Sequence, residues 1–179
     1  MLLELDILDA IQKIRTPFGD FIMPLITRLG DMGLFWIALA VLLIIFPKTR
    51  RTGMVVGVAL VLDVILCNAL LKPLVARVRP YDVNLTVQLL ISRPIDYSFP
   101  SGHSAASFAA ASAMLFAGSK RLGWAAVVLA AIIAFSRLYL YVHYPTDVLG
   151  GILLGIICGF VASKIVTILV NKLEKRKSA

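Results

Sequence analysis

Apolar stretches separated by short clusters of Lys and Arg leave this chain few folds to choose from. The stretches cover about residues 32–46, 53–71, 103–118, 122–142 and 147–170. An α-helix needs about 20 mostly apolar residues to cross roughly 30 Å of hydrocarbon, and several of these runs lie near the lower limit. In lipid the backbone must satisfy its own hydrogen bonds, so such runs become helices. Hydrophobic residues make up 60% of the 179, where a soluble domain carries roughly 45–50%. The expected fold is an all-α integral membrane protein, a compact bundle of five to six transmembrane helices fitted by thinning or tilt. Ala and Ser in 103–118, and Gly150, Gly151, Gly155 and Gly159, favour close helix contact and leave room for a lipid-chain groove.

The first residues follow a different pattern. Over 2–15, Leu3, Ile7, Ile11 and Ile14 fall on one helical face and Asp6, Asp9, Gln12 and Lys13 opposite, which predicts an amphipathic helix lying at the membrane interface. Thr16 to Asp20 breaks it. The piece up to Gly30 carries Pro24 and Arg28 and is expected to dip into the membrane or insert partly. Three regions follow: an interfacial or partly inserted segment (1–30), a transmembrane bundle carrying the site (31–171) and a basic tail (172–179). Glu4, Asp6 and Asp9 stand where a signal peptide has positive charge, so none is expected. Cys67 and Cys158 lie in apolar runs and read as small buried hydrophobes. Asp63, within the second run, is costly in a membrane and is expected to share a polar network with Asn68, a proton path being the alternative.

The formal net charge of +8 could suit nucleic acid or an anionic membrane surface. The excess sits in the clusters 48–51, 119–121 and 172–177, the pattern of cytoplasmic loops, which argues against nucleic acid as a partner and for membrane lipids. Placing these clusters in the cytoplasm makes a multi-pass cell-membrane protein with a cytoplasmic C-terminus. The N-terminal helix, the loop from Lys72 to Ser101 and the turn at His143 then face the other side.

That outer face collects the polar groups that are hardest to explain otherwise. Lys72 and Arg79 are seven residues apart, close to two helical turns, and with Arg77 they suit a polyanionic oxyanion, or lipid headgroup anchoring. Pro73 disfavours a plain helix through Lys72. Ser101 and Gly102 precede an apolar run, where exposed N–H groups attract anions, and His103 falls in its first turn; a plain helix cap fits equally. His143 stands four residues before Asp147, so the carboxylate can hold one imidazole nitrogen and leave the other nucleophilic, or serve as a structural pair. Together these groups describe phosphoryl transfer through a phosphohistidine, one histidine attacking and the other protonating the leaving oxygen. No cofactor is called for, and no metal-ligand spacing is present. Tyr81, Asp82, Asp96 and Tyr97 flank these groups in the outer loop and are expected to be plain loop residues, contact with a lipid headgroup being the alternative.

Lys72-x6-Arg79-Pro80, Pro100-Ser101-Gly102-His103 and Ser136-Arg137-x5-His143-x3-Asp147 resemble, in order and without departure, the three-part signature of the type 2 phosphatidic acid phosphatase superfamily. These membrane lipid phosphatases are related to vanadium haloperoxidases. The resemblance covers about residues 72–147. It implies His143 as nucleophile, Asp147 as its orienting partner and His103 as general acid and then base. It implies phosphate binding by Lys72, Arg79, Ser101, Gly102 and Arg137, without metal. It also implies a lipid phosphate or diphosphate substrate, with undecaprenyl diphosphate foremost. Phosphatidylglycerophosphate, phosphatidic acid, a lipid A phosphate, transfer to another acceptor, or non-catalytic carriage of a lipid phosphate stay open.

Overall fold

The computed structural model describes residues 2–177, and among these every regular element is helical. Helix α1 (Leu2–Lys13) turns part of its polar side inward: Gln12 Nε2 donates to the Tyr139 carbonyl at 3.0 Å and Tyr141 Oη to Asp9 at 2.7 Å, while Asp6 and Lys13 stay exposed. Leu8 is its one buried residue, while Leu3, Ile7 and Ile14 stay exposed. A helix that bonds the protein through polar groups and shows an apolar stripe outward fits an interfacial position.

Helix α2 (Pro17–Arg28) opens at Thr16, whose Oγ1 accepts from the Gly19 N–H at 3.1 Å. A 3₁₀ turn, Asp31–Gly33, then leads to α3 (Leu34–Ile45). Met32 at φ 51° and Gly33 at φ 67° are left-handed and cannot continue a helix, so α2 and the stretch Asp31–Ile45 meet at a bend of 42°.

Helix α4 (Arg50–Asp63) runs into π-helical turns at Val64–Leu71 and then α5 (Lys72–Val75). The chain therefore stays helical through Lys72 despite Pro73. A proline ring crowds the carbonyl four residues back, and the wider turns upstream absorb that mismatch. Ala76, at φ 48°, ends the helix. Arg79 lies beyond it in extended conformation at the start of α6 (Pro80–Val83), so Lys72 and Arg79 do not share a helical face.

Helices α7 (Gly102–Phe116), α8 (Lys120–Tyr139) and α9 (Pro145–Lys177) complete the chain. Central α7 packs on α9, α8 and α4 and is buried along most of its length. Its contact with α9 is a backbone approach. A Cβ at Gly151 would lie 2.5 Å from the Ser101 carbonyl, and one at Gly155 2.4 Å from that of Ala105. The expected small-residue seam is thus real, and it fixes the start of α7 against the start of α9.

Among the described residues, three helical runs, Arg50–Val83, Lys120–Tyr139 and Pro145–Lys175, are long and apolar enough to cross a membrane, with the bent pair a fourth if it counts as one span. Large side chains such as Val61, Val128 and Leu153 project outward, as lipid-facing residues do. The expected tail continues α9 as helix through Lys177, and Ser178 and Ala179 lie outside the described residues. Arg51 bonds Thr167 at 2.9 Å and Thr52 bonds Ser119 at 2.8 Å, so the basic clusters gather at one end. Cys67 and Cys158 are free and buried.

Candidate active site

The starts of α7 and α9 meet the α5–α6 turn and the α2–α3 bend around a cavity of about 660 Å³. Lys72, Arg79, Gly102, His103, Arg137 and His143 line it. Ser101 and Asp147 lie just behind, fully buried.

His143 is placed by a sharp turn. Tyr141, at φ 59°, reverses the chain after α8, and its hydroxyl is tied to Asp9 and, at 3.1 Å, accepts from Asn84. The imidazole points Nε2 at Arg79, 3.3 Å from Nη1, and Nδ1 at Asp147 Oδ2, 3.5 Å away. An arginine N–H can only donate, so Nε2 carries the lone pair and Nδ1 the proton. Burial pushes the His143 pKa down, the charges of Arg79 and Arg137 push the same way, and Asp147 only partly opposes them, leaving it at about 3. The ring is neutral at physiological pH, the form a nucleophile requires.

Asp147 is held on every side. Its Oδ2 accepts from Ser98 Oγ and from the Tyr144 N–H at 2.9 Å, and its Oδ1 from Arg77 at 2.6 Å. Its carbonyl accepts the Ser101 N–H at 3.0 Å, joining the Pro100-Ser101-Gly102-His103 turn to the partner of His143. Ser101 Oγ caps α7, accepting from the Ser104 N–H at 3.4 Å and the Ser104 hydroxyl at 3.0 Å. Its own proton remains for another acceptor. Gly102 leaves space where a Cβ would lie 3.9 Å from Lys72 Nζ, so the helix start and the ammonium face the same point.

The cations meet at Asp96, which is more than the plain loop residue its sequence context suggests. Its carboxylate pairs with Lys72 Nζ and, at 2.6 Å, with Arg79 Nη2. Burial raises the Asp96 pKa, but the hydrogen bonds and charges of Lys72 and Arg79 outweigh it and hold the value at about 2. Lys72 and Arg79 thus converge through a carboxylate from the loop before α7 rather than through helical spacing. Arg137, buried at the end of α8, donates to Thr27 Oγ1 and leaves its Nε without a partner. Three buried cations around one half-exposed carboxylate are a cradle for further negative charge.

The α2–α3 bend closes the other side. His103 Nε2 lies 2.9 Å from Asp31 Oδ1, and a Cβ on Gly30 would lie 2.5 Å from the His103 ring. Thr27, Gly30 and Asp31 were not identified from sequence; an acidic residue followed by Met-Gly at a helix break was the available signal. Asp63 corrects a further expectation. It is buried at the cavity with Oδ1 unpartnered and makes no hydrogen bond to Asn68, although Asn68 lines the same cavity. Among the described residues, no cluster of three or more His, Cys, Asp or Glu could hold a metal ion.

A helical membrane bundle with a paired imidazole and a cationic pocket at one end is the architecture of a membrane phosphohydrolase. The chain belongs to the PAP2 superfamily, whose model matches residues 52–170. It is 33% identical over 130 residues to an undecaprenyl-diphosphatase of Sulfolobus acidocaldarius, a match covering 73% of this chain and 63% of that protein. It is 34% identical over 141 residues to the undecaprenyl-diphosphatase BcrC of Bacillus subtilis, covering 79% and 72%. The crystal structure of a transmembrane PAP2-type phosphatidylglycerolphosphate phosphatase from Bacillus subtilis superposes with a TM-score of 0.74 at 29% identity, covering 91% of this chain and 84% of that one.

Proposed function

We propose that this protein hydrolyses a lipid phosphate or diphosphate at the extracytoplasmic face of the cell membrane, with undecaprenyl diphosphate as its substrate. The observation that carries this reading is His143 itself: a neutral, buried imidazole whose lone-pair nitrogen, Nε2, faces a cationic cradle and accepts from Arg79 at 3.3 Å. Nε2 attacks the terminal phosphorus, and a P–N bond forms as the P–O bond to the lipid breaks. His103, on the cavity wall, gives its proton to the departing lipid oxygen, and Asp31 steadies it. Water then attacks the phosphohistidine, His103 takes its proton, and phosphate leaves. Lys72, Arg79, Arg137, the Ser101 hydroxyl and the α7 amides at Gly102 neutralise the phosphoryl oxygens, a role that asks for no metal.

The bundle has five spans, α7 being the short central one sheltered by its neighbours. Its roughly 22 Å length suits a thinned or tilted fit. The basic clusters lie in the cytoplasm with the C-terminus, and the cavity opens at the outer end. Undecaprenyl diphosphate is supported by the two undecaprenyl-diphosphatase relatives, and phosphatidylglycerophosphate, by the matching crystal structure, is the second reading. The test is phosphate release in detergent micelles from undecaprenyl diphosphate, phosphatidylglycerophosphate and phosphatidic acid, with EDTA present and His143→Ala alongside. Release by the unaltered protein alone, fastest on undecaprenyl diphosphate, is the expected result. Phosphate release undiminished in His143→Ala, or none from any of the lipids, would overturn it.

A further inference from the structure

Arg77 stands between Lys72 and Arg79 in sequence but does not line the cavity. Its guanidinium goes behind the nucleophile instead. Nη1 donates to Asp147 Oδ1 at 2.6 Å and to Thr146 Oγ1 at 2.7 Å, and Nη2 donates to Glu4 Oε2 at 2.7 Å. The group stacks on Tyr144, 3.9 Å from the ring centroid. Glu4 closes the loop by accepting from the Thr146 hydroxyl at 2.5 Å with its other oxygen. The Arg77 carbonyl also accepts the N–H of Ser98, whose hydroxyl donates to Asp147 Oδ2. Arg77 therefore reaches both carboxylate oxygens of Asp147, Oδ1 directly and Oδ2 through Ser98, beside the Tyr144 N–H that Oδ2 also accepts at 2.9 Å.

His143 cannot set that orientation alone, because its Nδ1 lies 3.5 Å from Asp147 Oδ2 and makes no hydrogen bond in the resting protein. A buried carboxylate can rotate about its last bond unless donors fix it, and Nη1 of a guanidinium that is itself pinned by Glu4, Thr146 and the Tyr144 ring fixes Oδ1. Glu4 holds the outer edge of that fork from α1.

We propose that Arg77, clamped from α1 by Glu4, is a positioning residue for the nucleophile: it fixes Asp147 so that Oδ2 faces His143 Nδ1 and Nε2 stays aimed at phosphorus. The inference rests on His143 being the nucleophile. It gives the interfacial helix a part in catalysis, since one of its side chains is two hydrogen bonds from the catalytic carboxylate.

The experiment compares Arg77→Gln, Arg77→Lys, Glu4→Gln and the double variant Glu4→Gln/Arg77→Gln, full chain in micelles, by steady-state phosphate release and rapid-quench trapping of phosphohistidine. Arg77→Gln is expected to lower kcat by roughly 10–100-fold, the usual range for a partner one shell behind a reacting group. KM should stay within about twofold and phosphohistidine should form more slowly by the same factor. Arg77→Lys, which keeps a charge on Asp147, should recover part of the loss. Glu4→Gln should cost about threefold on its own and add nothing in the Arg77→Gln background. A kcat within twofold of the unaltered protein for Arg77→Gln, a rise in KM alone, or additive losses in the double variant would each overturn the proposal. Should Arg77→Gln fail to fold, Glu4→Gln decides: unchanged phosphohistidine formation overturns the clamp. His143→Ala separates the two levels, because phosphohistidine surviving in that variant removes the nucleophile reading whatever Arg77 does.

Discussion

Residues 72–147 and residues 2–33 contribute to the same cavity in opposite ways. The first region carries the groups that line the cavity and that we propose bind and attack a phosphoryl group: Lys72, Arg79, His103, Arg137 and His143. The second supplies their partners. Glu4 holds Arg77, Thr27 holds Arg137, Gly30 shapes the space for His103, and Asp31 pairs with its Nε2. The family model begins only at residue 52, so the whole second region lies outside it. Reacting groups are constrained by the chemistry and are readable as a pattern. The groups that orient them need only be some donor or acceptor in the right place, and a segment that looks like an anchor can provide them.

If that division is right, the largest loss comes from the first region. His143→Ala should lower kcat by roughly 10⁴-fold or more, and no acid-labile, base-stable phosphoenzyme should be trapped. The ionisation of His143 gives a second check. The neutral ring is the reactive form, so activity falls as pH drops through its pKa. Burial and the flanking arginines lower that pKa to about 3, so the acid limb of kcat/KM, corrected for substrate ionisation, should lie below the ~6.5 of a free imidazole. A limb at or above that value would mean the cradle does not depress the nucleophile.

Next in size is a loss from the second region. Asp31→Asn keeps the shape beside His103 and removes the charge. On a lipid phosphate monoester, whose alkoxide needs a proton to leave, kcat should fall by about 10–100-fold. On p-nitrophenyl phosphate, whose leaving group needs none, the change should stay within about threefold. Equal losses on both would show that Asp31 acts on something other than the proton of His103, and would break the parallel with Asp147.

The physical reasons for what was legible follow the same line. Helix periodicity, the Ser101 cap, Pro145 at the start of α9 and the glycine seam are local rules, and the fold obeys each. Helix α1 docks through Leu8, Asp9 and Gln12 and leaves Leu3, Ile7 and Ile14 exposed, an arrangement its sequence stripe alone does not give in water. The partnership of Asp96 with Lys72 and Arg79 spans 24 and 17 residues and depends on the left-handed turn at Ala76, which no propensity at an alanine announces. The expected Asp63–Asn68 hydrogen bond is absent although both side chains reach the same cavity, because the π turns widen the helix between them.

Asp96 bears on the comparison because it belongs to the first region yet faces the cations as a substrate would. Asp96→Asn removes a competitor from Lys72 and Arg79. Inorganic phosphate and vanadate should then inhibit about tenfold more tightly, a change of about 1.4 kcal/mol. Weaker inhibition would instead make Asp96 a brace that holds the cations in place, like the partners drawn from the N-terminal segment.

The smallest effect separates support from chemistry most finely. Thr27 receives a hydrogen bond from Arg137 Nη1, and Arg137 is buried with its Nε already unpartnered. Thr27→Val keeps the volume and removes the acceptor, leaving a buried guanidinium with one fewer fixed partner. In the empty protein that costs stability, about 1–3 kcal/mol for an orphaned charged donor, seen as a lower unfolding temperature. A bound phosphoryl group can satisfy the released N–H, so part of the cost returns on binding. Thermal stabilisation by vanadate should therefore be larger in Thr27→Val than in the unaltered protein, while kcat changes by no more than about threefold. A kcat loss matching that of Asp31→Asn would mean that Thr27 aims Arg137 during the reaction, and the N-terminal segment would then orient a phosphate-binding group as closely as it orients the histidines.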